Sequence, residues 1–271
     1  MKIKCKISDL QTIVKLVALK GKDMEGKEYA AVEDCVLTAA AGKLTVAVMD
    51  VQSTFGAKVD YKLVEIQEEG QLPIGDLETF AKFLSRFNSS DVVTVYNDEN
   101  RVVIQRETPK KVAKLPLVSL ESITTKDAPV FSNFKSDVNG YPVTAKSLWN
   151  LKFTLNADSV TSLFDDGDLI KQRILPWKVA NSKLEMSIVD EVQGSFETEV
   201  ALDSIESNPA KVGKQSTLVH FGRGVDNIFS NLSGNVTVYM VDDFAQAPIV
   251  ITQSGEAFDF LAMIAPIVIT P

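Results

Sequence analysis

Apolar and polar positions alternate along much of this chain with a period of two, the signature of strands that bury one face. The alternation is plain over 44–49 and 92–96, while 102–105 and 249–252 are β-branched runs. Asp98-Glu99-Asn100, between two of these runs, is predicted as a hairpin turn. Helical spacing appears four times. Leu10, Ile13 and Val17 form an apolar stripe behind a Ser8-Asp9 cap, and Leu77, Phe80, Ala81, Leu84 and Phe87 form another behind Asp76. Leu148, Leu151 and Leu155 predict a third helix, and Val225, Ile228, Phe229 and Leu232 a fourth. Each half of the chain thus reads as mostly β with two helices.

The pattern also repeats. The segment from Gly42 through Leu44, Val46, Val48, Met49-Asp50 and Phe55 to Val59 returns as Ser182 through Leu184, Met186, Ile188, Val189-Asp190 and Phe196 to Val200, with Glu191 as one inserted residue. The stretch 72–96, ending Val92-Val93-Thr94-Val95-Tyr96, is echoed by 218–239, ending Asn235-Val236-Thr237-Val238-Tyr239. A unit this long is too large for a solenoid repeat, so the chain is read as two copies of one domain. Four of its ten prolines (Pro109, Pro116, Pro129, Pro142) fall between 109 and 142, where periodicity fades over 119–127; this is the expected connection between the copies.

Composition narrows the class. With 271 residues, 45% hydrophobic and 24% charged, the chain is large enough for two folded cores. No apolar run approaches a membrane span and the N-terminus lacks the apolar stretch of a secretory leader, so a cytoplasmic setting (nuclear or host-cell interior for a eukaryotic or viral protein) is expected. Cys5 and Cys35 stand far apart and there is one histidine, which argues against a zinc site or a disulfide framework; both cysteines are read as small buried hydrophobes. A net charge of −8 argues against a protein that coats nucleic acid with its whole surface, leaving a local basic face as the alternative.

On helical wheels such a face emerges. Lys15 and Lys22 project opposite the first apolar stripe, Lys82 and Arg86 opposite the second, and Arg223 opposite the fourth. On the third, Lys146 and Asn150 point outward together with Trp149 and Phe153. For any single lysine a solvated helix face is the commoner reading; recurrence at equivalent places in an acidic protein favours a functional one. Catalytic chemistry is not indicated. His220 sits in a strand-like segment without a nucleophile motif, Gly222-Arg223-Gly224 lacks phosphate-loop spacing, and Asp165-Asp166-Gly167-Asp168 lacks the ligand pattern of a calcium loop and is read as a solvated acidic turn. No metal or cofactor is expected, and the chain is not read as an enzyme.

Taken in order, Ala47-Val48-Met49-Asp50, Lys114-Leu115-Pro116-Leu117, Val236-Thr237-Val238-Tyr239-Met240, Ala247-Pro248-Ile249-Val250 and Leu261-Ala262-Met263-Ile264-Ala265-Pro266 resemble the DNA sliding clamps, in the two-domain form of the proliferating cell nuclear antigen. The resemblance covers nearly the whole length. It implies an α+β chain of two similar clamp domains (1–117 and 130–271), each with two helices packed on antiparallel β-sheets, joined by an interdomain connector at 118–129. Six such domains make a ring, so a two-domain chain would form a homotrimer around double-stranded DNA, serving replication and repair as a processivity factor.

The site residues follow from the same resemblance. The helices would line the hole, placing Lys15, Lys22, Lys82, Arg86, Lys146 and Arg223 toward DNA. The strand near 110–117 would meet the strand near 195–202 of the next subunit, with Lys110, Lys111 and Lys114 facing Glu197 and Glu199. Partners, DNA polymerase first, would dock a short peptide on Met49, Leu120, Ile123, Pro248, Ala265 and Pro266, and a clamp loader would open the ring. For the docking residues, ordinary core or linker packing is the competing reading. Two other functions stay open: a non-ring viral-type processivity subunit, and a structural or adaptor protein with duplicated domains and no DNA role.

Overall fold

A computed structural model of the chain describes residues 1–22, 28–125, 131, 134–144, 148–169, 174–190, 194–202, 205–210, 217–222, 228–242 and 247–266. The chain divides into two compact units. The first holds Met1–Leu19, Ala30–Ala128 and Ser254–Phe260; the second holds Lys20–Tyr29, Pro129–Gln253 and Leu261–Pro271.

In the first unit the strands run, side by side, Lys111–Pro116, Arg101–Arg106, Val92–Asp98, Lys2–Lys6 and Glu65–Glu68. A second group runs Phe55–Tyr61, Lys43–Met49, Cys35–Ala40 and Gly70–Ile74. The second unit repeats both orders place for place. Its first group is Phe258–Ile264 (from 261 on), Ile249–Ser254 (to 253), Asn235–Met240, Leu151–Asn156 and Glu206–Ser207. Its second is Gly194–Ala201, Lys183–Asp190, Ile174–Ala180 and Thr217–Gly222. The internal sequence repeat is therefore a repeat of topology, and all pairings described are antiparallel.

Local chemistry explains the shared elements. The hairpin from Cys35–Ala40 to Lys43–Met49 turns at Ala41 (φ 50°) and Gly42 (φ 75°), and its counterpart turns at Asn181 (φ 51°) and Ser182 (φ 58°). Two consecutive positive φ values give the primed turn whose twist matches antiparallel strands. In Lys43–Met49 the alternate residues Leu44, Val46 and Val48 are buried, as the period-two pattern predicts. The buried carboxylate of Asp50 then closes the next turn, accepting from the backbone N–H of Thr54 and of Phe55 and from the Thr54 hydroxyl, each at 2.7 Å.

Helix α1 (Ile7–Val17) buries Leu10, Ile13, Val14, Leu16 and Val17, and packs against helix α2 (Leu77–Leu84), which buries Leu77, Phe80 and Leu84. The start of α1 lies earlier than the Ser8-Asp9 cap predicts: Lys6 is the cap residue, and Asp9 accepts from its N–H at 3.1 Å. At α2 the predicted cap is in place, with Asp76 accepting from the Thr79 N–H at 2.8 Å and its hydroxyl at 2.6 Å. Those bonds, the hydroxyl's first, hold the Asp76 carboxyl below the usual carboxylate range. Cys5 and Cys35 are free and buried, and burial pushes the Cys5 thiol up to about 12. Among the described residues no helix is long and apolar enough to cross a membrane.

The structure differs from the sequence pattern at two places. The third helix proposed around Leu148, Leu151 and Leu155 is instead the strand Leu151–Asn156, in which Leu151, Phe153 and Leu155 are buried, with Trp149 just before it on the same parity. The leucine spacing fits a helix, but the aromatic residues at 149 and 153 complete a period-two face that a helix would scatter. The helix lies immediately after it: α3 (Ala157–Leu169) buries Ala157, Val160 and Phe164. Asp165-Asp166-Gly167-Asp168 is therefore the end of a helix and not a turn.

Candidate functional site

Two surfaces and one further set of residues matter, and each begins with ordinary strand and helix geometry. On the first unit's helices, Lys15 is exposed on α1, while Lys82 on α2 and Arg86 just beyond it are exposed as well. Lys82 pairs with Glu78 one turn earlier at 2.5 Å, both largely in solvent, so the pair adds little to stability. Lys22 closes the strand Lys20–Lys22 beyond the end of α1, so it does not share the helix face with Lys15; its side chain lies outside the described part. Lys146 and Arg223 lie outside the described residues. In the second unit, α3 contains Asp158, Asp165, Asp166 and Asp168 and no lysine or arginine. Each of the first unit's helices thus carries one cation beside one carboxylate, Lys15 with Asp9 on α1 and Lys82 with Glu78 on α2, and α3 carries no cation.

The second surface is a pair of sheet ends. Lys111–Pro116 and Gly194–Ala201 each have a strand neighbour on one side only among the described residues. Burial fixes which way their side chains point. Lys111, Ala113 and Leu115 are turned toward the helix side, and Val112, Lys114 and Pro116 outward. On the other end strand Phe196, Thr198 and Val200 are turned inward and Ser195, Glu197 and Glu199 outward. Lys114, with Lys110 on the same parity and exposed, matches the outward carboxylates. Lys111 does not. Its ammonium sits over the Phe87 ring, 4.7 Å from the centroid, and donates to the Arg86 carbonyl. Lys114 has Asp98 at 3.7 Å within its own unit, and Glu199 is paired with Lys183.

The residues expected to dock a partner peptide fall in both units: Met49, Leu120 and Ile123 in the first, and Pro248, Ala265 and Pro266 in the second. Met49 ends its strand partly exposed, Leu120 opens the 3-10 turn Leu120–Ser122 and is partly exposed, and Ile123 is buried at 3%. Pro248, Ala265 and Pro266 are all partly exposed, and the Pro248 carbonyl accepts from the Trp149 indole N–H at 2.7 Å.

The connector is held by contacts that leave no mark in the sequence. Asp34, buried at 7%, accepts from the backbone N–H of Thr124 at 2.9 Å and of Thr125 at 3.2 Å, and from the hydroxyls of Thr124 at 3.0 Å and Thr125 at 2.8 Å. At the other end of the turn Val118 lies against Gly75, where an added Cβ would come within 2.7 Å of a Val118 methyl. Partners about 90 residues apart leave no local signal. Asp34→Ala is expected to cost about 2–3 kcal/mol, since the buried Thr125 N–H would lose its acceptor while the Thr125 hydroxyl kept only the Asp34 carbonyl, at 2.9 Å. Hydrogen exchange should then show faster exchange across 118–125, with α1 unchanged.

Beside Val118 lies an apolar pocket of about 220 Å³, lined by Ile74, Gly75, Asp76, Thr79, Phe80, Val102, Leu115, Pro116 and Val118. None of the six residues expected to bind a partner peptide lines it. Among the described residues no group of three His, Cys, Asp or Glu is placed to hold a metal ion.

No protein-family model matches the sequence, and no curated protein matches it. Solved structures do. The A. fulgidus PCNA bound to the C-terminal region of FEN-1 superposes with a TM-score of 0.72 at 12% identity, over 100% of this chain and 99% of that one. A chain of the PCNA2-PCNA3 complex from Sulfolobus tokodaii gives 0.70 at 15% identity, and the PCNA of Thermococcus kodakaraensis 0.69 at 14%, each over 98% of this chain and 99% of the other. With the same strand order in both units and this full-length superposition, the chain has the two-domain α+β fold of the PCNA-like sliding clamps.

Proposed function

We propose that this protein is a sliding clamp: three copies close head to tail into a ring that encircles duplex DNA and tethers a polymerase and other replication or repair proteins. The observation that carries the reading is the pair of unlike sheet ends on one chain, an outward Lys114 on Lys111–Pro116 and outward Glu197 and Glu199 on Gly194–Ala201. One end of each kind per copy favours a heterologous contact that propagates until it closes, and six like units complete the ring with three chains. The S. tokodaii complex, formed from two PCNA chains, supports association between such folds.

Lys15, Lys82 and Arg86 are the described cations assigned to the duplex, with Lys22, Lys146 and Arg223 as further candidates. Phosphate contacts position a protein without reading sequence, which permits sliding. Partner peptides are assigned to the surface of Met49, Leu120, Ile123, Pro248, Ala265 and Pro266; the FEN-1 segment bound to the A. fulgidus protein supports docking of this kind. The role is that of a scaffold, without catalysis of its own, and a loader is the expected means of opening.

The test is topological. Protein assembled on nicked circular DNA is expected to stay bound at moderate salt and to be lost at least tenfold faster once the circle is linearised. Equal loss from circle and line, with a monomeric or dimeric mass, would instead establish a non-ring subunit; no binding to either would leave an adaptor.

A further inference from the structure

We infer that the apolar pocket beside Gly75 and Val118 is a socket for Phe196 of the next copy, so that each ring seam carries an aromatic plug as well as a charge pair. The inference rests on the clamp reading above and adds a register and a buried anchor to it.

The register follows from two observations. Joining the two end strands antiparallel while keeping both buried faces on the helix side requires outward residues to oppose outward residues. Even positions of 111–116 therefore face odd positions of 195–200. Among the offsets that satisfy this, one places all six residues of Lys111–Pro116 opposite residues of Gly194–Ala201: Lys111 with Val200, Ala113 with Thr198, Lys114 with Glu197 and Leu115 with Phe196. A shift of two in either direction runs one end off the partner strand. The same offset sets Glu199 opposite Val112, diagonal to Lys110 and Lys114.

Leu115 is a wall of the pocket, and directly opposed side chains on paired strands have Cβ atoms about 5 Å apart. An inward Phe196 is therefore delivered to the pocket mouth. That ring is partly exposed in its own chain, although phenylalanine is among the residues most often buried. The pocket suits it. A cavity of about 150 Å³ lined by aliphatic and aromatic side chains accepts benzene, and this one is about 220 Å³, with Ile74, Phe80, Val102, Leu115 and Val118 on its walls. Its polar wall groups, Asp76 and Thr79, are already bonded to each other, so an apolar occupant strands no donor. Gly75 admits Val118 as the wall nearest the connector.

Mass measured across a concentration series tests this. Phe196→Ala is expected to raise the concentration of half-assembly about 30-fold, the effect of removing a central aromatic anchor. Val118→Phe, which fills the socket from within, is expected to weaken assembly similarly, and the double variant no further than the weaker single one, because both act on one contact. Phe196→Leu is expected to assemble nearly as the parent does. If Phe196→Ala does not fold, Val118→Phe alone decides by the same criterion. A parent chain that is monomeric throughout would overturn the clamp reading itself. A parent that assembles while either single variant assembles equally well, or while the two effects simply add, would overturn the socket alone.

Discussion

Replacing Glu197 and Glu199 together by lysine is expected to dissociate the assembled protein at low ionic strength. In the ring proposed above, each seam would then lose the attraction of Lys114 for Glu197 and the diagonal attractions of Glu199, and gain like charges in their place. Opposite charges on paired strands contribute about 0.2–1 kcal/mol each and like charges oppose pairing, so reversing two positions costs roughly 1–4 kcal/mol per seam. A closed ring depends on every seam, which amplifies the effect on the assembled fraction. The ion pair of Glu199 with Lys183 is lost as well, but both side chains are half exposed, so this loss is minor for the fold. The diagnostic readouts are salt and reversal. Screening shortens from about 10 Å at 0.1 M to about 3 Å at 1 M, so the variant should recover mass as salt rises. Adding Lys110→Glu and Lys114→Glu to the same chain should restore assembly at low salt. A Glu197→Lys, Glu199→Lys protein that keeps the parent's mass at low salt would refute the charged seam. Lys111 is left out of the reversal on purpose, since its ammonium is engaged with Arg86 and Phe87.

Trp149→Ala is expected to produce the largest loss of stability in the second unit, about 4–5 kcal/mol. Trp149 is 1% exposed and packs with Val241, Ala247, Val250 and Met263, with the Phe134 ring centroid 5.9 Å away. Truncating a buried Phe or Trp to alanine costs about 3–5 kcal/mol, and the Pro248 carbonyl would lose its donor as well, about 1 kcal/mol more. Trp149→Phe keeps most of the packing and should cost about 1–2 kcal/mol. With two units, unfolding need not be two-state, so the transitions should be followed separately. Both tryptophans of the chain, Trp149 and Trp177, belong to the second unit, and in Trp149→Ala the remaining Trp177 fluorescence still reports on it. Its transition should move to lower denaturant while exchange of the buried amides of α1 stays as in the parent. A shift below 1 kcal/mol would contradict the packing described.

The strands were legible because one-sided burial imposes period two directly on the sequence, as in Lys43–Met49 and Val92–Asp98. Helix α2 was legible through its cap and its stripe of Leu77, Phe80 and Leu84. Around 148–156 the three leucines fit only the helical period, and the strand shows in the parity that Trp149 and Phe153 share with Leu151 and Leu155. Helix α3 was hidden by its composition, with four aspartates and a glycine in a helix whose described buried residues are Ala157, Val160 and Phe164. Among the residues proposed to face DNA, the exposure of Lys15, Lys82 and Arg86 was readable from helix wheels. The inward turn of Lys111 was not, because the parity of an end strand shows only once its neighbour is known.

By itself the sequence determined the duplication, the antiparallel β character of both copies, the α1 and α2 stripes and the acidic balance that confines any DNA face to a few side chains. These are short-range properties, set by spacing along the chain and by the capping chemistry of residues such as Asp76. The tertiary structure alone decided which strands end a sheet, that Asp34 holds Thr124 and Thr125, and that Gly75 makes room for Val118 beside an apolar pocket. Each of these joins residues tens of positions apart, and contacts over such separations leave no periodic trace in the chain that makes them.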